Sequence, residues 1–441
     1  MDKDPRAGST RVLAIVERNI MENLQKQKNY GMELLRILAA VLVLQLHILG
    51  QGAIYPNTGA SIVTAKYAVN YAVSWSLETA AYGAVDLFAL ISGFVGLYSG
   101  FKVKRWMRLW ALCVFWGVTM FLLFDHGVAV VQAFDDLLLN MGLDVGPTVE
   151  RLAATGMDYH DVIFTVGSKQ FWYFNMYTLL FILLPVLNAG LQKLDKKQMA
   201  VLSFMLFFAA SVHKTVFNRD LFVLGGGYST IWLVILYIVG ATAKKYYDDG
   251  FRPNKWFCVL GYLVCTGVSV GFKFWFEWLF SKNPDVAQLK NYSGVLISYT
   301  GPFIVIGSVL LLFAFMQLTV KSKVGRKITL TFSGASFGIY IIQVTTPVWD
   351  HFMKLRFYRY AYLPTGEMLL SFYATLALLY LLFAAMEILR IYLFKYSRFE
   401  RLIDFCGDGI TRLVQRLFAW RDRKEQAAVE PQPEAPEPPT E

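Results

Sequence analysis

Arg36 and His47 stand eleven residues apart in the apolar run GMELLRILAAVLVLQLHILGQG. On a helix that separation is close to three turns, so both side chains face one way, about 16 Å apart along the axis. An ionisable group costs about 2.5–3.5 kcal/mol at the centre of a spanning helix, so each needs a partner or a task. Imidazole, with an ordinary pKa of about 6.5, suits proton transfer near neutrality. The plain alternative is a structural histidine bonded to a neighbouring helix. In the next apolar run, Asp86 falls at a depth similar to His47 if the two spans run in opposite directions. A carboxylate there could orient the imidazole, or could merely cap a helix at its N-terminal end. Ser92-Gly93 lies deeper, where glycine permits close approach of a helix or ligand. Lys102, Lys104, Arg105 and Arg108 follow at once. With Arg36 at the same level, these cations could grip phosphates through bidentate arginine contacts, or could record only membrane topology.

The elements that must position these residues follow from composition. The chain has 441 residues, 56% hydrophobic and 17% charged. Soluble globular chains carry roughly 45–50% apolar and about 25% charged residues, which makes a soluble enzyme, a disordered chain or a disulfide scaffold poor readings. A spanning helix needs about 20 mostly apolar residues. Candidate spans lie near 33–54, 80–99, 106–125, 171–190, 199–213, 225–243, 256–280, 295–318, 333–349 and 368–393. The predicted fold class is therefore all-α, a polytopic membrane bundle of about ten helices. The formal charge of +10 could suggest nucleic acid or anionic lipid, but about 30 of the 42 basic residues fall in alternate segments. That bias predicts cytoplasmic N- and C-termini and no nucleic-acid partner.

Four regions follow: an amphipathic cytoplasmic segment at 1–32, the transmembrane region at 33–395, a basic cytoplasmic segment at 396–425 and a disordered Pro/Glu-rich tail at 426–441. Residues 1–32 hold no apolar core of signal-peptide type, so no cleavage is expected. The four cysteines lack metal-ligand spacing, and neither a disulfide nor a metal is expected from them. His160 between Asp158 and Asp161 is a weak metal motif on the longest loop, 126–170. Lys273 and Glu277, one turn apart, read as a self-neutralising pair, while Glu387 and Arg390 are expected to snorkel to the inner surface. GGGYST at 225–230 is a candidate broken span of the transporter type.

The first two spans and the loop behind them resemble the integral-membrane acyltransferase 3 family. That family carries an Arg, ten residues and a His in its first span, as Arg36 to His47 do here. It also carries a VDLFFVISGF-like second span, matched by Val85 to Phe94, and an RxxR matched by Arg105 and Arg108. FWYFNMYTLLFILLP and SFGIYIIQ resemble later family segments, although Gln343 stands where many members have His. The resemblance implies transfer of an acyl group, commonly acetyl from acetyl-CoA, to a carbohydrate hydroxyl. It would place the CoA phosphates on Arg36, Arg105 and Arg108, with His47 as base or transient acyl carrier and Asp86 as its orienter. Ser92 would be the candidate oxyanion donor. Acetyl-CoA would act as donor substrate, with no permanently bound cofactor. The acceptor, a polysaccharide or glycolipid, would meet Trp75, Trp172, Tyr173 and Asn175 on the outer side, residues that otherwise read as an aromatic interface belt. Membrane lipid and a polysaccharide-synthesis complex or second copy complete the expected partners. Two other readings stay open, a transporter or exporter and a structural scaffold.

Overall fold

The computed structural model describes residues 29–126, 136, 165–168 and 170–429, and every regular element among them is helical. The principal helices are α1 (Tyr30–Leu49), a short α2 (Ile54–Thr58), α3 (Ala68–Ala81), α4 (Ala84–Gly96), α5 (Val103–His126), α6 (Trp172–Lys193) and α7 (Lys196–Phe207). They are followed by α8 (Thr230–Asp248), α9 (Lys255–Lys282), α10 (Pro302–Met316), α11 (Lys323–Val344), α12 (Thr365–Tyr396) and α13 (Phe399–Val429). A helix occupies each of the ten predicted windows, and seven helical stretches among the described residues are long and apolar enough to cross a membrane. The protein is a multi-pass membrane bundle. The segments 1–28 and 430–441, and with them most of the proposed amphipathic lead and tail, lie outside the described residues, as do Asp158, His160 and Asp161.

Starts and stops follow local rules. Asn29 and Ser229 cap α1 and α8 by accepting from the amides of Met32 and Trp232. The second predicted span is broken: α3 ends at Ala81 and α4 begins at Ala84. At the break a Cβ on Gly83 would fall 2.4 Å from Ser308 Oγ of α10, so only glycine admits that neighbour. GGGYST is a short 3₁₀ turn, Gly225–Gly227, with all three glycines at positive φ, followed by Ser229 as cap of α8. It leads into a helix instead of interrupting one.

α1 lies at the centre, packed on α4, α10, α11 and α12, with Leu35, Ala39, Leu44 and Ile48 wholly buried. α4 and α8 cross backbone to backbone. A Cβ on Gly93 would fall 2.0 Å from Tyr237 O, and one on Gly240 2.1 Å from Leu90 O. Large apolar side chains such as Ile182, Phe204, Phe257, Leu370 and Leu389 point outward. In water that surface would be an aggregation liability; in lipid it faces its own kind of solvent.

Two buried ion pairs stitch the bundle. Lys273 meets Glu277 at 2.6 Å, as expected, and Glu277 also accepts from Tyr71 Oη at 2.6 Å. Glu387 and Arg390 do not snorkel. Glu387 is fully buried on α12, receives both Nε and Nη2 of Arg390, and accepts from Trp116 Nε1 at 2.7 Å. A Cβ on Gly338 of α11 would collide with its carboxyl at 2.1 Å, so the groove was shaped for this pair.

The basic segment predicted at 396–425 is mostly one long helix, α13, clasped to the start of α5. Arg108 reaches Asp404 with two bonds of 2.8 and 2.6 Å, Lys104 reaches Asp408 at 3.0 Å, and Val103 N donates to Thr411 Oγ1. The Arg108 guanidinium holds the Asp404 carboxyl below the usual carboxylate range. A depressed carboxylate stabilises the folded form above its unfolded pKa and stops doing so as pH falls through the folded value, so the clasp persists through neutrality. Between the pairs, a Cβ on Gly407 would fall 2.5 Å from Lys104 Cα. Gly407→Val is expected to lift α13 off α5, read as faster limited proteolysis within 399–429 while the bundle stays resistant.

Candidate active site

His47 projects from α1 toward α11, where its Nδ1 lies 2.8 Å from Gln343 Oε1. Gln343 Nε2 in turn donates to Ile339 O at 3.0 Å, which leaves the amide oxygen facing the imidazole. His47 must then donate through Nδ1–H, so Nε2 carries the lone pair. Among the described residues Nε2 has no hydrogen-bond partner, and the side chain is only partly buried. Trp349 stands edge-on to the ring, centroids 4.8 Å apart at 87°. The strand of chain after α11 is strapped to the end of α1: Gln51 Nε2 donates to Trp349 O, Leu355 N to Gln51 O and Phe357 N to Gly52 O. A Cβ on Gly52 would meet Phe357 Cδ2 at 2.5 Å, so the strap closes only over glycine.

Asp86 does not join His47. It is fully buried on α4, its Oδ1 accepts from Trp232 Nε1 of α8 at 3.1 Å, and its Oδ2 is unpartnered. Among the described residues it is Gln343 of α11, and not Asp86 of α4, that presents a polar group to the imidazole.

At the Arg36 end a cavity of about 630 Å³ opens between α4 and α6. Arg36, Lys102 and Arg105 line it together with Ser92, so three cations gather there. Arg36 is also bonded to Glu33 Oε2 at 2.9 Å, which receives Ser333 Oγ at 2.6 Å. Arg108 is not in the cavity. Lys104 and Arg108, four residues apart, share the face that meets α13, whereas Arg105 is turned about 100° from Lys104 around the helix. Ser92 lines the wall, but its hydroxyl donates to Phe88 O of its own helix and is not free to serve an oxyanion.

Along α6 the lining runs from Gln192 to Tyr177, fifteen residues or about 22 Å of helix. The cavity therefore reaches deep into the bundle. Beyond it, Tyr173 lies one turn further along α6, its ring 6.2 Å from that of Tyr340 on α11. Tyr340 is in turn one turn before Gln343. A file of polar rings thus leads from the cationic mouth toward His47.

The outer residues divide. Trp172 packs on Tyr228 with centroids 4.4 Å apart, Trp75 stacks under Lys273 Nζ at 3.9 Å, and Tyr173 is buried. Asn175 accepts from Gly167 N and donates to Ser168 O, so both ends of its amide hold a loop. The sequence reading missed Tyr177 as a cavity wall and Trp349 as the cover of the imidazole. Both read as ordinary aromatic residues in apolar segments.

A cation-lined cavity on one side of a bundle, with a singly bonded imidazole on the other, suits group transfer from a phosphate-bearing donor. No curated protein and no solved structure matches the chain. A family model described as an acyltransferase domain, Acyl_transf_3, matches residues 29–386. The chain belongs to that acyltransferase family.

Proposed function

We propose that the protein transfers an acetyl group from cytoplasmic acetyl-CoA to a hydroxyl of a cell-surface polysaccharide or glycolipid. The observation that supports this reading most directly is the Nδ1–H to Gln343 bond, which leaves His47 Nε2 as a base beyond a deep cavity with a cationic mouth. Arg36, Lys102 and Arg105 take the donor's phosphates from the cytoplasmic side, and the pantetheine arm follows the file of tyrosines. His47 Nε2 removes the acceptor hydroxyl's proton as the oxygen attacks the thioester carbonyl. The C–S bond breaks, and the departing thiolate takes the proton from the imidazolium. Both termini lie in the cytoplasm on this reading.

Radiolabelled acetyl-CoA mixed with purified protein tests it. CoA release that depends on His47 and Arg105, with label appearing in a glycan, is the expected result. Movement of a substrate across proteoliposomes without CoA consumption would sink the proposal in favour of an exporter. Charge-assisted bonds contribute about 1.5–3 kcal/mol each. Arg105→Ala is therefore expected to raise the KM for acetyl-CoA about 10- to 100-fold. Arg108→Ala should leave it near wild type, because its partner is Asp404.

A further inference from the structure

Glu78 has no part in the chemistry above, yet it is a carboxyl inside the bundle. It lies on α3, is 5% exposed, and its Oε2 has no hydrogen-bond partner. No cation pairs with it among the described residues. An unpaired buried carboxyl in this setting costs several kcal/mol, so it is kept for something it binds. Its surroundings are phenolic: Tyr55 Cε1 and Glu78 Oε1 lie 3.4 and 3.9 Å from the position a Cβ on Gly50 would take, and Tyr82 follows Glu78 by about one turn. Tyr82 packs tilted against Tyr299 and Tyr299 meets Tyr228 edge-to-face, each with centroids 5.3 Å apart, and Tyr228 is half exposed. The place is also next to the imidazole. Gln45 Nε2 of α1 donates to Leu77 O at 2.7 Å, and a Cβ on Gly50, three residues past His47, would lie 3.9 Å from Glu78 Oε1.

We propose that Glu78 and the tyrosines beside it form the acceptor subsite, the free carboxyl oxygen taking a hydrogen bond from a hydroxyl of a neutral sugar ring whose face lies on the exposed ring of Tyr228. This rests on the reading of a carbohydrate acceptor given above. Aromatic walls with a few fixed polar groups suit such a ring. Glu78 is a binding and positioning residue; it donates nothing to the thioester.

The test uses full-length protein in detergent and three probes, methyl α-glucoside, methyl α-galactoside and methyl N-acetyl-β-glucosaminide, with binding read by saturation-transfer NMR. At least one glycoside is expected to bind, at least tenfold more weakly to Glu78→Leu, with Glu78→Gln intermediate because it keeps one acceptor oxygen. Coenzyme A affinity should stay within twofold, which a general loss of structure would not allow. Should Glu78→Leu fail to fold, Tyr228→Ala, which removes the half-exposed ring face, is the second variant and should weaken the same glycoside several-fold. Glycoside binding unchanged in the folded variants, binding of none of the three, or binding of tetramethylammonium alone would overturn the subsite. Where transfer is measurable, Glu78→Gln raises the KM for the acceptor and leaves that for acetyl-CoA. If glycoside binding depends on Glu78 but acetyl-CoA is never consumed, the transfer reading falls and the subsite stands.

Discussion

His47→Ala is expected to lower acetyl transfer by about 10²- to 10⁴-fold, the usual contribution of a positioned general base. The protein should still insert, and coenzyme A should still bind. His47 is neither a cavity wall nor an ion-pair partner; its contacts are Gln343 and Trp349. Removing the imidazole leaves Gln343 Oε1 unbonded, a cost of about 1–3 kcal/mol that a bundle of this size tolerates. Gln343→Ala makes a complementary case. The imidazole stays, but nothing selects the Nδ1–H tautomer, so kcat should fall while the KM for acetyl-CoA holds. Transfer retained in His47→Ala would remove the histidine from the mechanism altogether.

Glu387→Ala is expected to be the most damaging substitution for stability, about 3–5 kcal/mol, because it strands a guanidinium that is 8% exposed and takes the acceptor from Trp116 Nε1. Thermal unfolding followed by fluorescence-detected gel filtration reads this directly. The double change Glu387→Leu with Arg390→Leu should recover most of the loss, since apolar replacement of a whole buried pair is often neutral. Had these residues snorkelled to the surface, either single change would be nearly silent.

What could be read from the chain was what depends on neighbours in sequence. The apolar run carrying Arg36 and His47 appears as α1, three residues longer at one end and five shorter at the other, because hydropathy and helical period are local properties. The last span and the inner cation run were legible for the same reason. α3 was not recognised as a helix: its sequence, AVNYAVSWSLETAA, is too polar to stand out, and its burial of Asn70 and Glu78 is decided by α1, α2 and α9. The assignment of Arg108 to phosphate failed because its partner, Asp404, is 296 residues away. No spacing rule reaches that far. That Gln343 and not Asp86 meets His47 was hidden on similar grounds, since only the packed bundle decides which helix faces the imidazole.

The crossing of α4 and α8 fixes how the cavity can move. Two helices locked backbone to backbone at Gly93 and Gly240 leave no room there to slide, so they act as one stiff plate. The opposite side, α6, is held near the mouth through side chains: Asn188 donates to Gly96 O and accepts from Tyr237 Oη, Gln192 donates to Leu97 O, and Lys245 donates to Leu191 O. Strain from a bulkier thioester would therefore be taken up by α6 alone. The limit on acyl chain length is then set by how far that one helix can swing, and it should relax when the Asn188 and Gln192 amides are removed.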